Sequence, residues 1–172
     1  QRSWDMANNV RSEFDLYTGM CRWLDTYLKD KFKNKRCEVF VLDCHSVYLD
    51  SILDKYDVIQ YYPQVVGLKI EIDVLGIVRW KDRAEIYLVE AKKTALNLQN
   101  LGQLLIYCKL CNPEEAYLLS SGGLGSLKKV LNNLNREDLL DYGSGKRIKK
   151  IKVARWDITK EGIDNHSIVP KI

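Results

Sequence analysis

The chain has 172 residues, 46% of them hydrophobic and 29% charged, with a formal net charge of +4. That length supports one domain with a substantial core, residues 1–172, and gives no case for two. The composition is that of a globular protein, no apolar run approaches membrane-spanning length, and residues 1–5 carry no signal-peptide pattern, so a cytoplasmic protein without membrane contact is expected.

Asn8 or Asn9 can cap a long helix running to about residue 31, with Val10, Phe14, Tyr17, Met20, Cys21, Leu24 and Leu28 on one face at helical spacing. Glu13 lies beside that stripe. It is either an acid that reaches an active site or a first-turn carboxylate favoured by the helix dipole. Residues 37–42 read as a short strand and residues 47–56 as a helix. His45, in the loop between them, and His166 are the only histidines, and neither is given a role in the mechanism. Residues 57–63 read as extended, interrupted at Pro63.

A hairpin follows, and it is the most informative stretch of the chain. Its arms, residues 68–78 and 84–92, are rich in β-branched and aromatic residues, and the polar residues 80–83 separate them. Folding the arms about Lys81 and Asp82 sets Asp73 opposite Glu90, Glu71 opposite Lys92, Leu75 opposite Leu88 and Ile77 opposite Ile86. Strand side chains alternate, so all eight are expected on one face of the sheet. Two neighbouring carboxylates repel each other, and a divalent cation is the usual compensation. Oxygen ligands suit Mg²⁺, which takes one or two protein carboxylates, keeps several waters and shares a substrate phosphate. A solvated face with a charged end, with Glu–Lys pairs across the strands, has the same pattern without any function.

Residues 95–111 change to a helical period and end at Asn112 and Pro113. Gln103 and Tyr107 share a face of that helix, either as substrate contacts or as residues at the edge of the core. Gly102 is expected to let the helix approach the sheet closely. Cys108 and Cys111 form a Cys-x-x-Cys there. With an odd total of five cysteines and only one closely spaced pair, reduced core thiols are the simpler reading and a zinc site the lesser one. Residues 116–120 suit a buried strand, the glycine-rich residues 121–126 a flexible connection near a phosphate backbone, and residues 127–140 a helix. Residues 147–156 alternate as a last strand, and residues 157–172 read as a polar surface tail. The cluster of Lys146, Arg147, Lys149, Lys150, Lys152 and Arg155 is either a phosphate-binding stripe or a sheet edge protected by lysines.

A helix with Glu13, a strand with Asp73, a strand with Glu90-Ala91-Lys92 and a helix with Gln103-x-x-x-Tyr107 together resemble the PD-(D/E)xK nuclease superfamily. The last motif is similar to that of its RecB-like and lambda-exonuclease-like branch. The resemblance spans residues 8–120 and departs from the pattern in having Ile72 where proline is frequent. It implies an α/β, restriction-endonuclease-like fold, a central mixed sheet flanked by helices. It implies Mg²⁺-dependent hydrolysis of DNA phosphodiesters, with Mn²⁺ as a substitute, in DNA repair or recombination. Asp73, Glu90 and Glu13 would hold the metal, and Lys92 would act beside it. Gln103, Tyr107, Lys93, Lys149 and Lys150 would contact DNA. The cysteine spacing does not match the cluster-bearing members, so no iron–sulfur cluster is carried over. Relatives of this size include dimeric junction resolvases and ring-forming exonucleases, so a homodimer or higher homo-oligomer is expected. The alternative is a DNA-binding subunit that keeps the fold without catalysis.

Overall fold

The order of the strands in space explains which residues meet. A computed structural model describes residues 10–171. Its six-stranded sheet has the order β1 (Glu38–Asp43), β2 (Val74–Arg79), β3 (Ala84–Lys92), β4 (Glu115–Ser120), β7 (Lys152–Asp157) and β8 (Gly162–Ile163). A separate ribbon pairs β5 (Asp141–Tyr142) with β6 (Lys149–Lys150). The first three strands and the last pair run antiparallel, whereas β3, β4 and β7 are parallel. The end of β1, the start of β2 and the ends of β3, β4 and β7 therefore lie along one end of the sheet, where loops collect as in other α/β sheets.

Helices cover both faces. On one, Leu16, Met20, Leu24 and Leu28 of α1 (Phe14–Lys31) pack with Val74, Val78, Tyr87, Val89, Tyr117 and Leu119. On the other, α2 (Leu49–Lys55) and α3 (Leu98–Cys111) bury Ile52, Leu53, Leu101, Leu104 and Cys108 against Leu75, Ile77, Ile86, Leu88 and Leu118. A Cβ on Gly76 would lie 2.7 Å from a Leu28 methyl, so α1 crosses β2 at a distance only glycine permits. The result is a single compact domain of mixed α/β class, as expected. Among the described residues no helix is long and apolar enough to cross a membrane.

The hairpin register is the expected one, with Leu75 paired to Leu88 and Ile77 to Ile86. The first arm is shorter than expected, because only Val74–Arg79 form a strand. Glu71 bridges to Tyr48 instead of standing opposite Lys92. Ile70 and Ile72 join the same buried cluster as Leu75 and Ile77, so the alternation slips by one residue across Asp73. Lys69, in the left-handed region at φ 56°, helps turn this approach.

Several other boundaries move. The proposed caps Asn8 and Asn9 lie outside the described residues. Residues 57–63 form 3₁₀ turns instead of an extended run, with Asp57 left-handed at φ 59° and Pro63 opening the second turn. The helix after the hairpin starts at Leu98 because Asn97 and Asn100 exchange capping hydrogen bonds of 3.0 and 3.1 Å. Its Gly102 faces open space and permits no close approach. The expected helix 127–140 is only α4 (Ser126–Lys128), a π turn to Asn133 and a 3₁₀ turn at Glu137–Leu140. Asn132, Asn133 and left-handed Asn135 weaken it, since short amide side chains compete for the backbone. The expected last strand splits at Ile151, and the tail is no surface coil, because Ile163, Ile168 and Val169 are buried.

Candidate active site

Asp73 and Glu90 meet at the loop-bearing end of the sheet. Asp73 sits at the bend just before β2, and its amide donates to Glu90 Oε1 at 3.3 Å. In return the Ala91 amide, one residue beyond Glu90, donates to Asp73 Oδ2 at 2.8 Å. The exchange sets the two acids side by side although Asp73 itself has left the ladder. The Tyr17 hydroxyl of α1 donates to Asp73 Oδ1 at 2.9 Å, and the Cys44 amide holds the Asp73 carbonyl at 3.0 Å. Asp73 is thus fixed from the helix layer, from β3 and from the loop after β1.

The electrostatics are those of an uncompensated pair. Glu90 is only 7% exposed, and burial together with the Asp73 charge pushes its carboxyl up to about 8. Burial also raises Asp73, against the Ala91 amide, the Tyr17 hydroxyl and the Lys92 charge. Among the described residues neither acid has a cation within ion-pairing distance. Lys92 lies two residues beyond Glu90, hence on its side of the sheet, and its charge favours ionisation of both acids. Its ammonium has no hydrogen-bond or ion-pair partner among the described residues.

Two other predicted residues belong to the same end. Glu13 immediately precedes α1, one turn before Tyr17, and its charge raises the Tyr17 hydroxyl after burial and Asp73 have done so. Among the described residues, however, no three His, Cys, Asp or Glu side chains converge as a ligand cluster, so the structure does not bring Glu13 into one with the pair. Lys93 is exposed and donates to the Arg11 carbonyl at 2.6 Å. On α3, Gln103 Nε2 donates to the Tyr107 hydroxyl at 3.4 Å, so the two share a face as expected. Cys108 and Cys111 of that helix are buried in the core.

Lys149 and Lys150 lie elsewhere. They precede β7 and so belong to the opposite end of the sheet. Lys149 donates to the Pro113 carbonyl at 3.0 Å and to Asn112 Oδ1 at 3.1 Å, and Lys150 donates to Asp141 at 2.5 Å. Lys152, of the same basic stretch, joins Lys31 in holding Glu115, at 2.7 and 2.6 Å. Lys149, Lys150 and Lys152 of the basic cluster are thus divided among acids and carbonyls away from the Asp73–Glu90 pair, and Arg155 alone of the residues named from it lies at the same sheet end as Lys92.

Sequence reasoning missed Tyr17, Asp43 and His45. Tyr17 belongs to the apolar stripe by its spacing, and its hydroxyl is the one sequence signal of a polar role. His45 Nδ1 contacts Asp43 Oδ1 at 2.5 Å, and its ring lies 5.0 Å from that of Tyr17 and 4.5 Å from that of Phe14. Phe14, expected in the core, is instead an exposed wall of this aromatic group.

The chain matches no protein-family model, no curated protein and no solved structure at a significant level.

Proposed function

We propose that the protein is a divalent-metal-dependent nuclease acting on DNA, with a restriction-endonuclease-like arrangement of its sheet. The observation that carries this reading is the Asp73–Glu90 pair, two acids side by side with no cation within ion-pairing distance among the described residues. Burying such a pair costs several kcal/mol unless a positive charge joins it. The donor set fits Mg²⁺ or Mn²⁺, hard cations that accept one or two carboxylates and leave their remaining positions to water and phosphate. Asp73 and Glu90 would hold the ion, which when bound supplies Lewis acidity toward a phosphodiester and its attacking water.

The protein's own groups divide the rest of the work. Tyr17 and the Ala91 amide fix the Asp73 carboxylate, so its free lone pairs keep one direction. The Lys92 ammonium, without an ion-pair partner among the described residues, orients a water or offsets charge on the phosphoryl oxygens. Gln103 and Tyr107, as one hydrogen-bonded unit on α3, position the strand. Glu13 adds negative potential at the mouth of the site.

A second reading, a DNA-binding subunit without catalysis, draws on one observation: both Asp73 oxygens already accept protein hydrogen bonds. Cleavage separates the two. Linear, nicked, single-stranded and four-way-junction DNA are incubated with the protein and Mg²⁺ or Mn²⁺, beside Asp73→Asn and Lys92→Ala. The nuclease reading predicts cleavage that needs metal and disappears in both variants. Cleavage equal in all three proteins contradicts it, and binding of DNA without any cleavage supports the subunit.

A further inference from the structure

We propose that a basic cavity beside the acid pair binds a backbone phosphate of the same nucleic-acid strand, a proposal that rests on the nuclease reading for its ligand. The cavity has a volume of about 190 Å³ and is formed by the glycine-rich loop after β4 together with the segment after β8. Lys128, Arg155 and Lys171 line it with His166, and no acid does.

Its place in the sheet connects it to the site. Lys92 pairs in register with Ser120, and Ser120 with Arg155. Adjacent strands are about 4.8 Å apart, so Arg155 lies roughly 10 Å from Lys92 along the same sheet end. Alternation also puts Glu90, Lys92 and Arg155 on one side, since Leu88, Leu118 and Val153 of these strands share one buried cluster. A strand whose scissile phosphate lies at Glu90 and Lys92 passes the cavity within a few nucleotides.

The walls are built, not merely adjacent. The Leu96 amide donates to the Gly123 carbonyl at 3.0 Å, and the Gly122 amide donates to Ser120 Oγ at 3.0 Å. A Cβ on Gly125, at φ 54°, would come within 2.5 Å of the Leu96 carbonyl. The glycines therefore press this loop onto the segment before α3, so the connection is fixed where the sequence suggested flexibility. Arg155 is held by Asp164 at 3.1 Å and by Asp157 at 3.6 Å, which offsets its charge. Lys171 spends one proton on the His166 carbonyl at 2.6 Å, and the Lys128 ammonium has no partner among the described residues. Two lysines thus bring uncompensated charge to a cavity without acids. A phosphodiester supplies the matching anion, and each such contact releases counterions from the nucleic acid.

Binding of fluorescently labelled single-stranded and duplex oligonucleotides, with and without a terminal phosphate, is measured in EDTA across a salt series. The proteins are the wild type, a Lys128→Ala/Lys171→Ala variant, the corresponding double Arg variant, and a Lys35→Ala/Lys81→Ala control at the far end of the sheet. The proposal predicts about tenfold weaker binding and a salt slope shallower by about 1 to 2 for the first variant, recovery in the Arg variant, and wild-type behaviour in the control. Preference for the terminal phosphate would make the bound group a chain end, and indifference an internal diester. Unchanged binding in the Lys128→Ala/Lys171→Ala variant, or equal loss in the control, overturns the cavity. Because metal is absent, a protein that binds through these lysines and never cleaves contradicts the nuclease reading alone.

Discussion

The Tyr17 hydroxyl donates to Asp73 Oδ1 at 2.9 Å, joining the helix on one face of the sheet to an acid at its end. That hydrogen bond favours the ionised carboxylate against the burial that raises it. Tyr17→Phe removes the donor and keeps the ring. The variant should lose about 1 kcal/mol in urea unfolding. Its metal-dependent activity should need a higher pH than the wild type's, because Asp73 must lose its proton without help. An unchanged pH profile would deny Tyr17 that positioning role.

Glu90 carries the opposite sign of pH dependence from an ordinary carboxylate. Its folded value, about 8, lies above the unfolded value of 4.5, so the folded state holds a proton that the unfolded state has released. Stability without metal is therefore full below about pH 4.5 and declines as the pH rises through 8. Glu90→Gln should remove this decline and be more stable than the wild type at pH 8 in EDTA, by at least about 1 kcal/mol. Thermal unfolding at pH 5 and pH 8 measures it, and a variant less stable at both values contradicts the assignment.

Glu115 behaves in the usual direction. Burial works against its charge, but Lys152, Lys31 and the Tyr117 hydroxyl outweigh it and hold the carboxyl down at about 2. The folded value is below the unfolded 4.5, so its contribution is present above pH 4.5 and is lost as the pH falls toward 2. Glu115→Gln should cost about 2 to 3 kcal/mol at neutral pH, since it leaves two lysines partly buried without their acid. The loss should vanish in acid unfolding near pH 2.

Gly76→Ala tests the packing of α1. The added methyl would meet Leu28 at 2.7 Å, with Leu24 and Tyr87 at 3.2 Å. Overpacking of this kind costs about 1 to 3 kcal/mol, read from the urea midpoint.

The hairpin was the most legible part of the chain because period-two alternation fixes a register, and Leu75–Leu88 and Ile77–Ile86 pair as it requires. The same rule failed at Asp73, where Ile70 and Ile72 are apolar enough to claim the core face and the backbone slips to let them. Yet Asp73 still reaches β3, through a backbone amide that no side-chain pattern encodes. The π turn after α4 arose where helix periodicity was outweighed by the asparagines. The C-terminal lysines do not form a free basic stripe, because Glu115, Asp141 and the Pro113 carbonyl each claim one. Conversely Lys128, Arg155 and Lys171 are far apart in sequence and were brought together only by the parallel strands and the buried tail.

The central claim, that Asp73 and Glu90 hold a divalent cation, is tested most directly by calorimetric titration of Mn²⁺ into the purified protein near pH 7, repeated in two buffers of different ionisation heat. Burial and the Asp73 charge raise the Glu90 carboxyl well above its usual range, so a metal that takes its carboxylate should release a proton. The account predicts binding with proton release in the wild type, and loss of both in Glu90→Gln. Absence of binding at millimolar Mn²⁺, or the same binding in the variant, would contradict it.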